Sequence, residues 1–116
     1  MVGDVHVFKK SSLAKKLIII YKGLIMKVHA RHILIQNATK AKKLKQELGR
    51  GADFTTLAKL NSKCQSGKSG GDLGWFAPGE MVAAFDKIVF KEKLHVVHGP
   101  IKSEYGFHLI EIMDRI

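Results

Sequence analysis

A glycine-rich segment in the middle of the chain most limits what this sequence can fold into. Residues 62–79 read SKCQSGKSGGDLGWFAPG and hold five of the eleven glycines. Glycines this frequent and this irregularly spaced interrupt helices and strands, and their spacing differs from that of a phosphate-binding loop. We therefore predict a shaped loop, with a short strand near 73–76, between two separately patterned halves of the chain.

A strand with apolar residues on both faces precedes this loop. Residues 27–36 read KVHARHILIQ. Since successive side chains of a strand point to opposite faces, one face carries Ala30, His32 and Leu34, and the other carries Arg31, Ile33 and Ile35. A strand that is apolar on both faces belongs inside a sheet.

Two helices are expected between this strand and the loop. Thr39 is placed to cap the first helix, which ends at Gly49 or Gly51, and Asp53 is placed to cap the second, which ends near Asn61. The positions spaced to meet a core are Ala41, Leu44 and Leu48 in the first helix and Phe54, Leu57 and Ala58 in the second. Four lysines between 40 and 45 then cover the solvated side of the first helix.

The chain after the glycine-rich loop is predicted to form one helix and a hairpin. Residues 81–90 carry apolar side chains at helical spacing, after a turn at Pro78 and Gly79. A strand that runs through Pro100 into Ile101 is followed by a long alternating strand over 105–115. The order of strand, two helices, short strand, helix and two strands favours an α+β fold with a mostly antiparallel sheet.

Composition and charge narrow the class of protein. The chain has 116 residues, 46% of them apolar, which suits one soluble domain. Its single cysteine, Cys64, excludes an internal disulfide and a four-cysteine zinc site and fits a reducing compartment. A metal site formed by Cys64 with His95 and His98 is a weaker alternative, because histidines near a turn are more often solvated.

Residues 1–27 are predicted to form a basic, partly apolar, mobile leader ahead of a domain at 28–116. The leader holds six lysines and one aspartate, half of the net charge of +10, and no run approaches the roughly 20 apolar residues that cross a bilayer. It resembles an export signal, but Lys22 interrupts its apolar stretch and no small-residue cleavage site follows. We expect a cytoplasmic protein, with export or membrane-surface association of the leader left open.

Three segments of the chain together resemble one known family. They are ARHILI at 30–35, GADFTTLAKLNSKCQSGKSGGDLGWFAPGEMVAAFDKIVF at 51–90 and GPIKSEYGFHLIEI at 99–112. In order, spacing and content they resemble the parvulin-type peptidyl-prolyl cis/trans isomerase (rotamase) domain. The resemblance covers 28–116 and implies a four-stranded, mostly antiparallel sheet surrounded by short helices, as in parvulin/FKBP-like α+β folds. It also implies faster rotation of X-Pro peptide bonds without a metal or an organic cofactor.

The same resemblance implies two groups of site residues. The catalytic group is His32, Cys64, Ser103 and His108, and the proline-pocket group is Leu73, Met81, Phe85 and Phe107. The histidines are expected to bond to each other on adjacent central strands and to orient the pocket. Cys64 stands where the family has cysteine or aspartate, so we favour a polar role over a nucleophilic one. Ser103 replaces a usual threonine, and the hydroxyl of Tyr105 either alters the histidine network or reaches solvent.

Proline-containing segments of client proteins are the expected partners of a monomer. Only Gln36, Asn37 and Ala38 separate the first strand from Thr39, which leaves no room for the arginine cluster that grips phosphate in phospho-specific relatives. We therefore expect apolar or basic residues to be tolerated before proline. Two alternatives remain open: a catalytically weak chaperone or peptide-binding module on the same fold, and a basic protein that associates non-specifically with nucleic acid or acidic surfaces.

Overall fold

The computed structural model describes Leu17 and residues 26–116. The leader predicted over 1–27 therefore lies almost entirely outside the described residues and stays a prediction. Within the described part, no helix combines the length and the apolar character needed to cross a membrane.

Four antiparallel strands form a single sheet. They are β1 (Val28–Ile35), β2 (Asp72–Phe76), β3 (Val97–Ser103) and β4 (Gly106–Arg115). Their order across the sheet is β2-β1-β4-β3, so β1 and β4 are the two central strands. Because a central strand is covered on both faces, both sequences are apolar at odd and even positions alike. The predicted α+β fold with its four-stranded antiparallel sheet is confirmed.

Three helices connect the strands: α1 (Ala38–Gly49), α2 (Phe54–Asn61) and α3 (Ala83–Val89). The predicted Asp53 cap of α2 is confirmed, but the predicted Thr39 cap of α1 is wrong. Asn37 caps α1, since its side chain accepts a hydrogen bond of 3.0 Å from the Lys40 N–H, and Thr39 lies inside the first turn. The glycine-rich loop also contains an unpredicted 3-10 helix, Gln65–Ser69.

Helix α3 begins two residues later than predicted. Val82 is extended, and two carboxylates hold the turn before the helix: Glu80 accepts from the Ala77 N–H, and Asp86 accepts from the Gly79 N–H at 2.7 Å. These bonds keep the chain out of a helical conformation until Ala83. Met81 therefore lies ahead of α3 rather than on one face of it.

The sheet separates two apolar cores. On one face, Phe85 and Val89 of α3 pack with the strand residues Val28, Ala30, Phe76, Ile110 and Ile112. On the other face, Ala41 and Leu44 of α1 and Phe54 and Ala58 of α2 pack with the strand residues Ile33, Ile35 and Leu109. Alternate residues of β1 and β4 thus belong to different cores, and the sheet fixes which side chains can meet on each face.

The cap of α1 gives a stability test with a built-in control. Asn37→Ala removes the acceptor for the Lys40 N–H and should lower the free energy of unfolding by about 1 kcal/mol. Thr39→Ala, two residues away, should change it by less than about half of that, because Thr39 is not the cap. Urea unfolding followed by circular dichroism measures both values, and a larger loss for Thr39→Ala would contradict the assignment.

Candidate active site

A largely apolar pocket opens on the α3 face of the sheet. Its cavity volume is about 350 Å³. The lining residues are His32, Leu34, Cys64, Leu73, Met81, Val82, Phe85, Tyr105 and His108. They come from both central strands, the edge strand β2, the turn and helix α3, and the two loops at the open end of the sheet. The fold therefore brings residues up to 76 positions apart in sequence into one apolar wall with two imidazoles.

The two histidines meet because of the register between β1 and β4. His32 lies opposite Ile110, and Leu34 lies opposite His108, so the histidines are diagonal neighbours on one face. Their rings are nearly parallel, with centroids 5.3 Å apart, and their Nδ1 atoms are 3.1 Å apart. The expected bond between histidines on adjacent central strands is present in this geometry.

Ser103 extends the pair into a hydrogen-bonded chain. Its Oγ lies 2.6 Å from His108 Nε2 and accepts a bond of 3.1 Å from the Tyr105 N–H. If the Ser103 hydroxyl donates to His108, then His108 Nδ1 donates to His32 and the proton of His32 is on Nε2. If Ser103 accepts instead, both rings reverse and His32 Nε2 is a bare acceptor. That atom is buried and has no hydrogen-bond partner among the described residues.

Burial keeps this pair uncharged at neutral pH. His32 is 5% exposed and His108 is 4% exposed. Burial, together with the neighbouring His108, lowers the pKa of His32 from 6.5 to about 4, and burial also lowers the pKa of His108. The Phe85 ring meets both imidazoles edge-on, at 5.5 Å and 5.8 Å between centroids, and contributes to this exclusion of water.

A glycine lies close to the backbone of each histidine: Gly71, directly before β2, and Gly99, at the irregularity within β3. A Cβ on Gly71 would lie 2.3 Å from the His32 carbonyl oxygen, and a Cβ on Gly99 would lie 2.4 Å from that of His108. Both glycines also have positive φ, at 86° and 121°. Only glycine fits such contacts without moving the neighbouring strand. Gly71 and Gly99 thus allow the chain at the two edge strands to approach the histidine backbones closely.

Cys64 stands at the edge of the pocket on a fixed segment of chain. Ser62 Oγ accepts bonds from the Leu34 N–H at 3.0 Å and from the Cys64 N–H at 3.4 Å, which ties this segment to β1. Cys64 is half-buried and is a free thiol. Within residues 26–116 no group of three or more histidine, cysteine or acidic side chains is placed to hold a metal ion.

Most of the predicted site residues come together, and one does not. His32, Cys64, Leu73, Met81, Phe85 and His108 line the pocket, and Ser103 lies behind His108. Phe107 is a correction: it packs against the core under α1 and α2, on the opposite face of the sheet. Its neighbour His108 points into the pocket, and adjacent residues of a strand point to opposite faces.

Sequence reasoning missed two residues of the pocket, Leu34 and Val82. Leu34 shares the His32 face of β1 in the predicted alternation, so that pattern already contained the signal. Val82 carried no comparable signal, since its position depends on the turn ahead of α3. Tyr105, left open from sequence, lines the pocket mouth while remaining 57% exposed.

A protein-family model described as the PPIC-type PPIASE domain matches residues 12–116. The chain belongs to the PPIC-type peptidyl-prolyl isomerase family. The resemblance of the sequence to parvulins is thereby confirmed, and the pocket is the part of the domain that carries the residues implied for catalysis. The matched region begins within the segment predicted as a leader.

Named relatives include both foldases and chaperones. The foldase protein PrsA of Geobacillus sp. (strain WCH70) is 42% identical over 96 residues, which are 82% of this chain and 35% of that protein. The crystal structure of the peptidylprolyl isomerase PrsA from Bacillus anthracis matches with a TM-score of 0.77 and 35% identity, over 78% of this chain and 42% of that one.

A third match comes from Campylobacter jejuni, in a structure described through PEB4 and the periplasmic protein Cj1289 as SurA-like chaperones. It has a TM-score of 0.72 and 27% identity, over 98% of this chain and 51% of that one. The chain spans about a third of the length of the curated relatives it matches. None of these three descriptions supports the expected cytoplasmic location, and one of them names a periplasmic protein.

The buried histidine pair predicts a specific loss of stability in mild acid. Because the folded-state pKa of His32 is about 4 and the ordinary value is 6.5, the unfolded chain binds more protons between these pH values. The free energy of unfolding should be close to its full value above pH 7 and fall by roughly 2 to 3 kcal/mol between pH 7 and 4.5.

Urea unfolding across this range tests that loss. His32→Gln should flatten the slope of stability against pH, whereas His95→Gln, at an exposed histidine outside the pocket, should retain the slope because the buried pair is intact. The pKa values of Asp53 and Asp72 are lowered from 3.8, so their protonation affects stability below this range. An unchanged slope in His32→Gln would contradict the assignment of a neutral buried pair.

Proposed function

We propose that this domain accelerates the cis/trans isomerisation of X-Pro peptide bonds in client chains by holding the proline ring in the apolar pocket. The observation that carries the proposal is the pocket itself, which is large enough for a proline ring and combines an apolar wall with a neutral pair of histidines. The membership of the chain in an isomerase family supports the same reading.

Catalysis of this reaction requires no bond to be made or broken. The barrier of about 18–20 kcal/mol arises from the partial double bond of the planar amide, which is lost when the amide twists. The planar amide is the more dipolar form, so an apolar, water-poor site favours the twisted one. A pocket that binds the twisted amide more tightly than the planar amide therefore lowers the barrier.

Each lining residue has a simple part in this scheme. Leu73, Met81, Val82 and Phe85 form the apolar contact surface for the proline ring. The histidine pair with Ser103 holds β1 and β4 in register at the floor of the pocket and stays uncharged. A charged imidazole would have donors on both nitrogens and could not accept the bond from its partner.

Cys64 is proposed to act through its polarity rather than as a nucleophile. If so, Cys64→Asp should keep much of the activity, within about tenfold of the unaltered chain, whereas Cys64→Ala should lose more than that, because only aspartate retains a polar group there. Proton NMR exchange rates with a proline peptide measure both variants. An inactive Cys64→Asp, together with alkylation of Cys64 by a reactive substrate analogue, would contradict a non-covalent role.

The connection from β1 to α1 argues against a preference for phosphorylated substrates. It consists of Gln36 and Asn37, and both side chains are engaged: Gln36 Nε2 donates to the Tyr105 carbonyl at 2.8 Å, and Asn37 caps α1. No arginine lies in this connection. We therefore propose that apolar or basic residues are accepted directly before proline.

A chain-gripping chaperone is the second candidate function. It is favoured by the relatives, which are named as a foldase and as SurA-like chaperones and are longer than this chain. The same pocket would then bind proline-containing segments without fast release. We further propose that the domain is a monomer and that its clients are proline-containing protein segments. Both candidate functions are compatible with an exported and with a cytoplasmic protein.

Isomer exchange in short peptides tests the enzyme proposal directly. With an Ala-Leu-Pro-Phe peptide, exchange NMR should show acceleration, and a phosphoserine in place of leucine should give no large advantage. Met81→Ala should lower the catalytic efficiency by about tenfold or more, because the substitution removes apolar contact worth roughly 1.5–3 kcal/mol when fully made.

Met113→Ala is the matched control for that variant. Met113 is also half-buried but lines a small cavity with His29 and Arg31 on the other face of the sheet. Its substitution should leave exchange unchanged. Equal effects of the two variants, or measurable binding without any exchange in the unaltered chain, would count against an isomerase and favour the gripping module.

A further inference from the structure

A second cavity lies between α1 and α2, outside the proline pocket. Its volume is about 550 Å³. Lys40, Lys43 and Leu44 line it from α1, and Leu57 and Asn61 line it from α2. Leu60 is three residues after Leu57, on the same side of the helix, and is 75% exposed. We call this cavity, with Leu60 beside it, the α1/α2 groove: its floor includes Leu44 and Leu57, and its charged lining residues are Lys40, Lys43 and Glu47.

The positive charge of the described residues is concentrated on α1, and Lys40 and Lys43 are the two of its cations that line the groove. Residues 38–50 hold four lysines and one arginine against Glu47, a net charge of +4 out of the +6 carried by residues 26–116. The ion pairs within the described part are His29 with Asp72 and Arg31 with Glu111. Lys40 and Lys43 form no ion pair among those residues, although Glu47 also lines the groove, four residues after Lys43. The lining keeps a net charge of +1, which favours a negative ligand.

The groove and the proline pocket are joined by a short, fixed segment of chain. Asn61 lines the groove and Cys64 lines the pocket, and three residues span on the order of 10 Å when extended. The Lys63 N–H donates to the Leu34 carbonyl at 2.8 Å, and Ser62 Oγ accepts from the Leu34 N–H. An extended chain with its proline in the pocket needs only a few further residues to reach the groove.

We propose that the α1/α2 groove is an accessory subsite for an acidic, leucine-rich segment of the same client chain whose proline occupies the pocket. This proposal rests on the proposed function and adds a substrate class to it. Acidic side chains complement Lys40 and Lys43, and leucine-type side chains complement Leu57 and Leu60. Such segments are selected at a distance from the prolyl bond, while the residue before proline stays unrestricted.

Nucleic acid fits the groove less well than an acidic peptide. Its lining contains leucines and Glu47 but no aromatic side chain on which a base could stack. A phosphate backbone would also leave the exposed Leu60 without an apolar partner. The mixture of apolar and basic groups therefore favours a protein segment.

Peptide length and charge provide the test. An Ala-Leu-Pro-Phe core is compared with versions extended by alternating Glu-Leu or Lys-Leu residues, through a Gly-Ser linker of four residues that reaches about 11 Å, on either side. With the unaltered chain, we expect the Glu-Leu extension on one side to lower the KM about threefold to tenfold relative to the Lys-Leu extension, the range for exposed ion pairs.

Charge reversal at the groove should abolish this preference. Lys40→Glu with Lys43→Glu removes it, whereas the control Lys42→Glu with Lys91→Glu makes the same change of net charge at exposed residues outside the groove lining and retains it. Neither pair should affect exchange of the core peptide. If both double variants lose the Glu-Leu preference equally, the preference reflects the net charge of the domain and the subsite is rejected. The absence of any Glu-Leu preference in the unaltered chain would also reject it.

Amide chemical shifts separate this proposal from the proposed function. Titration with the Glu-Leu peptide should shift the amides of Asn37, Leu57 and Asn61 even if the core peptide shows no catalysed exchange, and that result would reject the isomerase while keeping the groove. Catalysed exchange with no shifts in the groove would reject the groove alone. Displacement of the peptide by duplex DNA at 150 mM salt, about the physiological value, would assign the groove to nucleic acid instead.

Discussion

The antiparallel pairing of β1 with β4 is the constraint on which the site depends. It joins the first and the last of the described strands and brings His32 beside His108, 76 residues away in sequence. A shift of one residue in this register would send one histidine to the opposite face, because side chains alternate along a strand. The buried residues of both strands oppose such a shift, since each is packed into the core on its own face and would be moved into the other.

Around this pair the remaining elements perform separate tasks. Helix α3 and the carboxylate-held turn before it supply the apolar wall, while α1 and α2 stabilise the other face and carry most of the positive charge. The segment around Ser62 links these two regions at the end of β1. The proposed catalytic pocket and the proposed accessory subsite thus lie on opposite faces of one sheet. They are coupled only through a client chain that binds to both.

Patterns of local spacing predicted the fold well. Alternation in β1 identified a central strand, and Asp53 marked the start of α2. The errors in helix boundaries arose where a side chain bonds a nearby backbone N–H: Asn37 takes the cap from Thr39, and Asp86 with Glu80 delays α3 past Met81. Phe107 was assigned to the pocket by family resemblance, although the alternation around His108 places it on the other face. From the sequence, the α1 lysines were interpreted as a solvated helix face. The groove could not be predicted in this way, because it forms only where α2 packs beside α1.

The central claim is that the proline ring of a client enters the pocket between the histidine pair and α3. Intermolecular nuclear Overhauser effects from a peptide with a carbon-13-labelled proline test it most directly. The account predicts contacts from the ring protons to the Met81 methyl group and the Phe85 ring, and none to Phe107 on the opposite face. Ring contacts confined to Leu57 and Leu60 in the α1/α2 groove, with none to Met81, would contradict it.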